Sequence, residues 1–203
     1  MILDWLHRIP APLVQVWLTI SAAAIGYLIG SVNPAALVAR VRGTDLRLVG
    51  SGNPGATNAA RAFGWRTGVF VGALDVVKGY VPVLVFMHFG AHLPALVAGV
   101  CAVLGHISSP FLRGRGGKGV ATSLGAVLAL QPWCAIPVLA VFALGMLATR
   151  RVGLASVTAA VVLAPAVFAL GGDILDVLFA AILSAIVVLR HWRNIREVAA
   201  ISR

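Results

Sequence analysis

The chain has little charge, few acidic residues and almost no cysteine. Only 11% of its 203 residues are charged, and just 6 are Asp or Glu. The surface of a soluble domain must face water, so about a quarter of its residues are charged. This scarcity excludes an ordinary soluble protein. The 60% share of hydrophobic residues and the mean hydropathy of +0.98 indicate an integral membrane protein instead.

Long apolar runs predict the membrane-spanning helices. A helix needs about 20 residues to cross the hydrocarbon core of a bilayer. The runs predict an all-α, polytopic membrane helix bundle with a single domain over 1–203 and seven transmembrane helices, near 13–32, 67–89, 93–107, 120–131, 133–149, 152–170 and 174–190. Merging or discarding the short runs leaves five spans as the alternative.

The run 120–131 is short for a span. It gives about 18 Å of helix against a hydrocarbon core of about 30 Å. Either this helix begins earlier, or the loop before it dips into the membrane. A secretory signal peptide begins with a positively charged segment, but at the N-terminus of this chain the charge of Asp4 offsets that of Arg8. The first apolar run is therefore predicted to be an uncleaved span.

Basic residues lie in alternate loops, which orients the chain. The positive-inside rule places Lys and Arg in cytoplasmic loops. Seven spans with the N-terminus outside and the C-terminus in the cytoplasm put 14 of the 16 basic residues on the cytoplasmic side of a bacterial inner membrane: Arg40, Arg42, Arg47, Arg61, Arg66, Arg113, Arg115, Lys118, Arg150, Arg151, Arg190, Arg193, Arg196 and Arg203. Spread over four loops without interleaved aromatics, they argue against a nucleic-acid partner.

Two glycine-rich loops on that face are typical of an anion site. Residues 50–58 read GSGNPGATN, and such a segment can fold backbone N–H groups around an oxyanion. Residues 113–119 read RGRGGKG and directly precede a helix whose N-terminus adds partial positive charge. The alternatives are an ordinary turn for the first loop and a lipid-headgroup anchor for the second.

Other polar residues near this face are candidates for chemistry. Ser31 ends the first span, and His106 and His191 end later ones, where a histidine can act as a base or hold a phosphate. Asp75 and Lys78 stand three residues apart within the second span, a spacing that closes an ion pair on one helix face. Such a pair is either functional or a brace that packs the bundle.

The scarcity of acids and cysteines also limits the chemistry. Cys101 and Cys134 fall in apolar runs, and the histidines, cysteines and acids show no metal-ligand spacing. Asp45 and Glu197 are the only carboxylates on the predicted cytoplasmic face, which excludes the paired carboxylates of a glycosidase. We therefore expect chemistry without a metal or other cofactor, built on cations, amides, hydroxyls and histidine.

The order of these motifs resembles the bacterial acyl-phosphate:glycerol-3-phosphate acyltransferases. The resemblance runs from about residue 26 to 196, and its two most specific blocks are Gly50–Asn58 and the GGKGVAT sequence that begins at Gly116. The other matching pieces are Gly30-Ser31-Val32-Asn33-Pro34 with Arg40, Asp45-Leu46-Arg47, Leu74-Asp75 with Lys78-Gly79, Gly105-His106, and His191 with Asn194-Ile195.

The resemblance implies a multi-pass inner-membrane enzyme with its active site on the cytoplasmic face. Such an enzyme transfers a fatty acyl group from acyl phosphate to the 1-hydroxyl of sn-glycerol 3-phosphate, giving lysophosphatidic acid and phosphate, the first step of phospholipid synthesis. The partners implied are these two substrates, membrane lipids and an enzyme that produces acyl phosphate.

The resemblance also implies roles for individual residues. Ser31 and Arg40 would contact acyl phosphate or the developing oxyanion, with His106 as a support or base and His191 beside the acceptor. The residues expected to hold substrate are Gly50, Ser51, Gly52, Asn53, Gly55, Thr57, Asn58, Gly116, Gly117, Lys118, Ser156 and Asn194. Either a histidine or a phosphate oxygen of the donor would take the hydroxyl proton.

The chain departs from the family pattern in two places. Gly153 stands where the family usually has serine, although Ser156 matches, and the tail after Arg196 lacks the expected Gly-containing acidic ending. Two other classes of function are compatible with the residues. One is a small carrier or channel for an anionic metabolite, although no two-fold internal repeat supports it; the other is an inactive relative that only binds lipid phosphate.

Overall fold

The computed structural model of the protein describes residues 10–201, and the predictions made for Asp4, Arg8 and Arg203 lie outside this range. Within it the chain is helical and contains no strand. Its helices are α1 (Ala11–Ser31), α2 (Pro34–Val41), α3 (Ala56–Phe63), α4 (Trp65–His88), α5 (His92–Ile107), α6 (Val120–Leu130), α7 (Ala135–Thr149), α8 (Val152–Ala169), α9 (Ile174–Arg190) and α10 (Trp192–Ile201). The prediction of an all-α fold is confirmed.

Each of the predicted apolar runs is a helix, but they differ in length. Five helical stretches are long and apolar enough to cross a membrane: Ala11–Val41, Trp65–His88, His92–Leu112, Pro132–Thr149 and Val152–Ala169. α6 has 11 residues and α9 has 17, so by length they fall short of these five. Seven spans with the N-terminus outside therefore stay a prediction.

Small residues let the helices approach one another closely. A Cβ on Gly26 or Gly30 of α1 would collide with the carbonyl groups of Ala98 and Ala102 on α5. Likewise, Gly79 on α4 lies against the backbone of α6. Glycine seams of this kind are common where helices pack in a bilayer, because apolar side chains gain little there by leaving lipid. These two seams hold α1 to α5 and α4 to α6.

The segment between α1 and α4 forms a folded unit with its own small core. Residues Ala35, Ala39, Leu46 and Ala59 of this segment are buried together against Val71 of α4. The unit begins where α1 ends, because Asn33 caps α2: its Oδ1 accepts from the Ala36 N–H at 2.8 Å. The Asn33 amide also donates to the carbonyl of Pro54 at 3.0 Å, which anchors the glycine-rich loop to the start of α2.

Candidate active site

The 113–119 loop folds back onto the end of α5. The N–H of Gly117 donates to the carbonyl of His106 and that of Gly116 to Ile107, both at 3.1 Å. Both glycines are needed here, because a Cβ on either would collide with His106. Gly119 adopts a left-handed φ of 84°, and α6 begins only at Val120. α6 therefore does not begin earlier than Val120, and a loop that dips into the membrane before it stays a prediction.

The 50–58 loop is held in shape by one side chain. The buried amide of Asn58 donates to the carbonyls of Leu46 at 3.0 Å and Val49 at 2.8 Å, and its Oδ1 accepts from the Ser51 N–H at 3.2 Å. Gly50 and Gly52 take left-handed φ values of 55° and 68°, which an L side chain rarely adopts. The loop is therefore shaped before any ligand binds.

Three predicted residues from distant parts of the chain meet at these loops. Lys118 Nζ donates to Asn194 Oδ1 at 2.5 Å, and His191 lies one helical turn before that asparagine. The guanidinium of Arg190 donates to the carbonyl of Gly117 at 3.2 Å. The end of α9 therefore both holds the Lys118 loop and supplies side chains beside it.

These groups line an open cleft of about 2070 Å³, including its mouth. Most of the predicted substrate-binding residues lie in its wall, together with both predicted histidines: Ser51, Asn53, Gly55, Thr57, Asn58, His106, Lys118, Ser156, His191 and Asn194. Gly50, Gly52, Gly116 and Gly117 are absent from the wall and act on it through the shape of the two loops. Gly153 does line the cleft, next to Asn194.

Ser31 and Arg40 are not brought to this cleft. Ser31 is fully buried, and its hydroxyl donates to the carbonyl of Tyr27 at 2.7 Å, one turn earlier in α1. Arg40 lines a second cavity with Leu37 and Phe111, on the other side of the 50–58 loop. Pro54 faces this second cavity, whereas the flanking Asn53 and Gly55 face the cleft, so the loop is the wall between the two.

Asp75 and His106 form the floor of the cleft. Lys78 pairs with Asp75 at 2.9 Å and also donates to the carbonyl of Val32 at 2.7 Å, which fixes α4 to the end of α1. His106 Nδ1 lies 3.3 Å from the same Asp75 oxygen, Oδ1. The imidazole Nε2 packs directly beneath Gly117. The Asp75–Lys78 pair thus supports the Lys118 loop through His106.

Three arginines in the cleft wall were not among the predicted site residues. They are Arg61 on α3, and Arg150 and Arg151 between α7 and α8, all of them exposed. Arg150 takes a left-handed φ of 53°, where α7 ends. Their charge could have indicated them, because the positive-inside rule assigns them to the same membrane face as Lys118.

The cleft has a strongly cationic polar end. Lys118 and the three arginines surround the uncapped start of α6, whose free N–H groups add partial positive charge. Burial, with the nearby cations Lys118 and Arg190, lowers the pKa of His191. Its imidazole is therefore neutral at pH 7, and with Nδ1 donating to the Val187 carbonyl at 2.8 Å, Nε2 is left as an acceptor.

The other end of the cleft is apolar and continues into the bundle. Val120, Leu124, Leu139 and Phe142 line the cleft and also a third, almost wholly apolar cavity between α6, α7, α8 and α9. This cavity reaches Val127, Cys134 and Ala135, toward the opposite end of α6. The cationic cleft and the apolar cavity therefore adjoin each other and share part of their walls.

Comparison with known proteins assigns the chain to a family. The family described as Glycerol-3-phosphate acyltransferase matches residues 20–200. A Glycerol-3-phosphate acyltransferase from Geotalea daltonii is 40% identical over 174 residues, which cover 84% of this chain and 89% of that protein.

Two solved structures resemble the fold closely. Both are of PlsY (YgiH), described as an integral membrane glycerol 3-phosphate acyltransferase, one in its glycerol 3-phosphate form and one in its lysophosphatidic acid form. The first is 36% identical, with a TM-score of 0.85 and 92% of each chain covered. The second is 34% identical, also at 0.85, and covers 90% of this chain and 92% of that one.

Proposed function

The chain belongs to the glycerol-3-phosphate acyltransferase family of integral membrane proteins, and on that premise we propose that it transfers a fatty acyl group from acyl phosphate to the 1-hydroxyl of sn-glycerol 3-phosphate. The products are lysophosphatidic acid and phosphate. The observation that carries the proposal is that a cationic cleft at Lys118 shares a wall with an apolar cavity between the helices of the bundle. A water-soluble phosphate ester fits the cationic cleft and a fatty acyl chain fits the apolar cavity, so the two substrates would meet where the cleft adjoins the cavity.

The glycerol 3-phosphate phosphate lies at Lys118 in this proposal. Asn194 holds the lysine ammonium at 2.5 Å, and the start of α6 supplies free N–H groups beside it. Arg150 and Arg151 add charge on the same wall. Thr57 lines the same cleft and offers a hydroxyl group to the glycerol. Ser156 also lines the cleft, but its hydroxyl already donates to the Val152 carbonyl at 2.8 Å.

The acyl chain of the donor lies in the apolar cavity, and the donor phosphate faces the 50–58 loop. Arg61 on α3 follows that loop and lines the cleft, so we assign to it the phosphate contact that the resemblance gave to Arg40. The hydroxyl of Ser31 is already used by the Tyr27 carbonyl, so it needs no substrate to satisfy it. Ser51, exposed in the cleft wall, is better placed for this phosphate.

The reaction needs positioning and charge stabilisation more than a strong base. The glycerol hydroxyl oxygen attacks the acyl carbon and forms the new ester bond, while the bond from that carbon to the phosphate oxygen breaks. Acyl phosphate is a mixed anhydride with a good leaving group, so the main contributions are orientation and cations around the developing oxyanion. The hydroxyl proton passes either to the departing phosphate or to the neutral His191.

His106 acts as a positioning residue in this mechanism. It is buried, with one nitrogen near Asp75 and the other beneath Gly117. A proton acceptor for the glycerol hydroxyl must lie within hydrogen-bond reach of it, and this imidazole, although it lies in the cleft floor, has both nitrogens turned to Asp75 and Gly117. His106 instead supports the loop that presents Lys118.

The cleft faces the cytoplasm in the proposed topology, with the protein in the bacterial inner membrane. Its mouth then opens toward the pool of glycerol 3-phosphate, on the side to which the basic loops are assigned. An enzyme that produces acyl phosphate is a partner consistent with this orientation. No metal or other cofactor has a part in the proposed reaction.

The direct test supplies one donor at a time. Purified, folded protein receives glycerol 3-phosphate with palmitoyl phosphate, and in separate reactions with palmitoyl-CoA or palmitoyl acyl carrier protein. Lysophosphatidic acid formed only with palmitoyl phosphate, and lost in Lys118→Ala, is the expected result. Product formed equally well from the thioesters would overturn the donor assignment, and no product from any donor would overturn the activity.

A further inference from the structure

A second cluster of ligand-bearing side chains lies at the membrane face opposite Lys118. It comprises His92, the first residue of α5, with Asp173 and Asp176 at the start of α9. One ligand atom from each of the three lies within 4.8 Å of the others. His106 is at the other end of α5, about 21 Å away at 1.5 Å per residue, so this cluster has no part in the cleft.

The carboxylates are fixed by the way α9 begins. Asp173 Oδ1 accepts from the Asp176 N–H at 2.9 Å, and Asp176 Oδ2 accepts from the Asp173 N–H at 3.3 Å. In this capping box each carboxylate uses one oxygen on the backbone. The remaining oxygens, Asp173 Oδ2 and Asp176 Oδ1, lie 3.8 Å and 3.0 Å from His92 Nε2. The capping box therefore orients all the free oxygens toward one imidazole nitrogen.

The Asp176 oxygen that faces His92 lacks a hydrogen-bond donor. The Asp176 side chain is only 9% exposed, yet its Oδ1 makes no hydrogen bond among the described residues. His92 Nε2 lies 3.0 Å from this oxygen and likewise makes no hydrogen bond among the described residues. A buried carboxylate oxygen without a donor is costly. A cation coordinated by both atoms would satisfy them.

The charge balance of the cluster also calls for a cation. Two carboxylates stand together, and in the part of the chain that the structure describes neither forms an ion pair with a lysine or arginine. A divalent cation suits two adjacent carboxylates, and imidazole beside carboxylates selects transition metals over Mg²⁺ or Ca²⁺.

We propose that His92, Asp173 and Asp176 bind one divalent transition metal ion, of which Zn²⁺ is the best candidate. The imidazole nitrogen and two carboxylate oxygens supply three ligands, and water completes the coordination. The backbone N–H groups of the capping box hold the outer oxygens, as neighbouring groups commonly do around metal ligands. The ion joins the first turn of α5 to the first turn of α9 and fastens the bundle at this end.

The test measures Zn²⁺ binding to the full chain without a histidine tag. Protein purified in detergent and stripped with EDTA is titrated with Zn²⁺ by calorimetry, and Co²⁺ absorption reports the ligand geometry. We expect one ion per chain, and at least a tenfold loss of affinity in both His92→Ala and Asp176→Asn. Asparagine keeps an oxygen for the capping box, so the second variant preserves the start of α9.

His88→Ala is the matched control, because His88 is an exposed histidine at the same end of the bundle and outside the cluster. It should bind Zn²⁺ like the unaltered chain. Zn²⁺ should also raise the Tm of the unaltered chain and leave that of His92→Ala unchanged. Absence of saturable binding, or equal affinity in His92→Ala, would overturn the proposal and would show that the three side chains form only an ion pair.

Discussion

Lys118 Nζ lies 2.5 Å from Asn194 Oδ1, although 76 residues separate them in the chain. This contact joins the loop before α6 to the first turn of α10. The contact brings the lysine ammonium and the asparagine amide together in the wall of the cationic cleft.

Removal of the lysine charge should disable the acceptor site. We expect Lys118→Ala to lower kcat/KM for glycerol 3-phosphate about 100-fold or more, because charge-assisted contacts in a preformed site are worth about 2–4 kcal/mol. Steady-state kinetics measure the loss. Arg113→Ala is the control: Arg113 is an exposed cation of the same loop outside the cleft wall, and its removal should change kcat/KM by less than about twofold.

The two candidate arginines can be distinguished directly. Arg61 lines the cleft and Arg40 lines the cavity behind the 50–58 loop, so Arg61→Ala should lower kcat with acyl phosphate about 30-fold or more. Arg40→Ala should retain most of the activity. The reverse ranking would restore the role that the family resemblance gave to Arg40.

Gly153 should control how tightly the acceptor binds. A Cβ at this position would lie 3.0 Å from Asn194 Cγ, so a side chain here touches the amide that holds Lys118. Gly153→Ser adds a hydroxyl at the cleft wall and should lower KM for glycerol 3-phosphate a few-fold. Gly153→Ala adds the same Cβ without the hydroxyl and should not lower KM. Equal KM values in the two variants would mean that the hydroxyl contacts nothing.

The apolar cavity should set which acyl chains are accepted. Ala159→Phe places a ring in this cavity, so turnover of palmitoyl phosphate should fall about tenfold while octanoyl phosphate is still used. The ratio of kcat/KM for the two donors measures the effect. KM for glycerol 3-phosphate serves as the internal control. An unchanged ratio of kcat/KM for the two donors would show that the acyl chain does not bind in this cavity.

Stability should depend on pH through His191. Its pKa in the folded protein lies below the ordinary value of 6.5, chiefly because it is buried. As the pH falls below 6.5, the unfolded chain takes up a proton that the folded protein resists, so the free energy of unfolding decreases. Thermal unfolding in detergent at pH 7.5 and 5.5 should show this loss. His191→Gln cannot take up that proton, so a decrease of the same size in this variant would assign the effect to other groups.

The apolar runs predicted the helices well because lipid imposes a simple requirement. Every backbone group in the hydrocarbon must be bonded internally, so a run of about 20 apolar residues has little choice but to be a helix. The run 120–131 was the ambiguous one. Its start at Val120 depends on hydrogen bonds from Gly116 and Gly117 to the end of α5, and no local sequence signal shows such a distant partner.

Which residues share the cleft was predictable only in part. Charge and glycine content pointed to Lys118 and the 50–58 loop, and the family resemblance added His191 and Asn194; the structure brings these together, and their roles stay predictions. Arg40 lies on one side or the other of the 50–58 loop according to the direction that the chain takes after Val32. The number of residues between Ser31 and Arg40 does not reveal that direction. Arg61 is not part of the motifs that carry the family resemblance, although it follows Asn58 by only three residues.

The adjoining cleft and cavity also determine where a newly made lipid would be delivered. In the proposed reaction, the phosphate head of the product is formed at Lys118 while its tail already lies between α6, α7, α8 and α9. A phospholipid in one leaflet has the same orientation, with its head at the surface and its chain pointing toward the bilayer midplane. The product needs only lateral escape between helices, so synthesis would add material to a single leaflet and leave its redistribution to a separate flipping step.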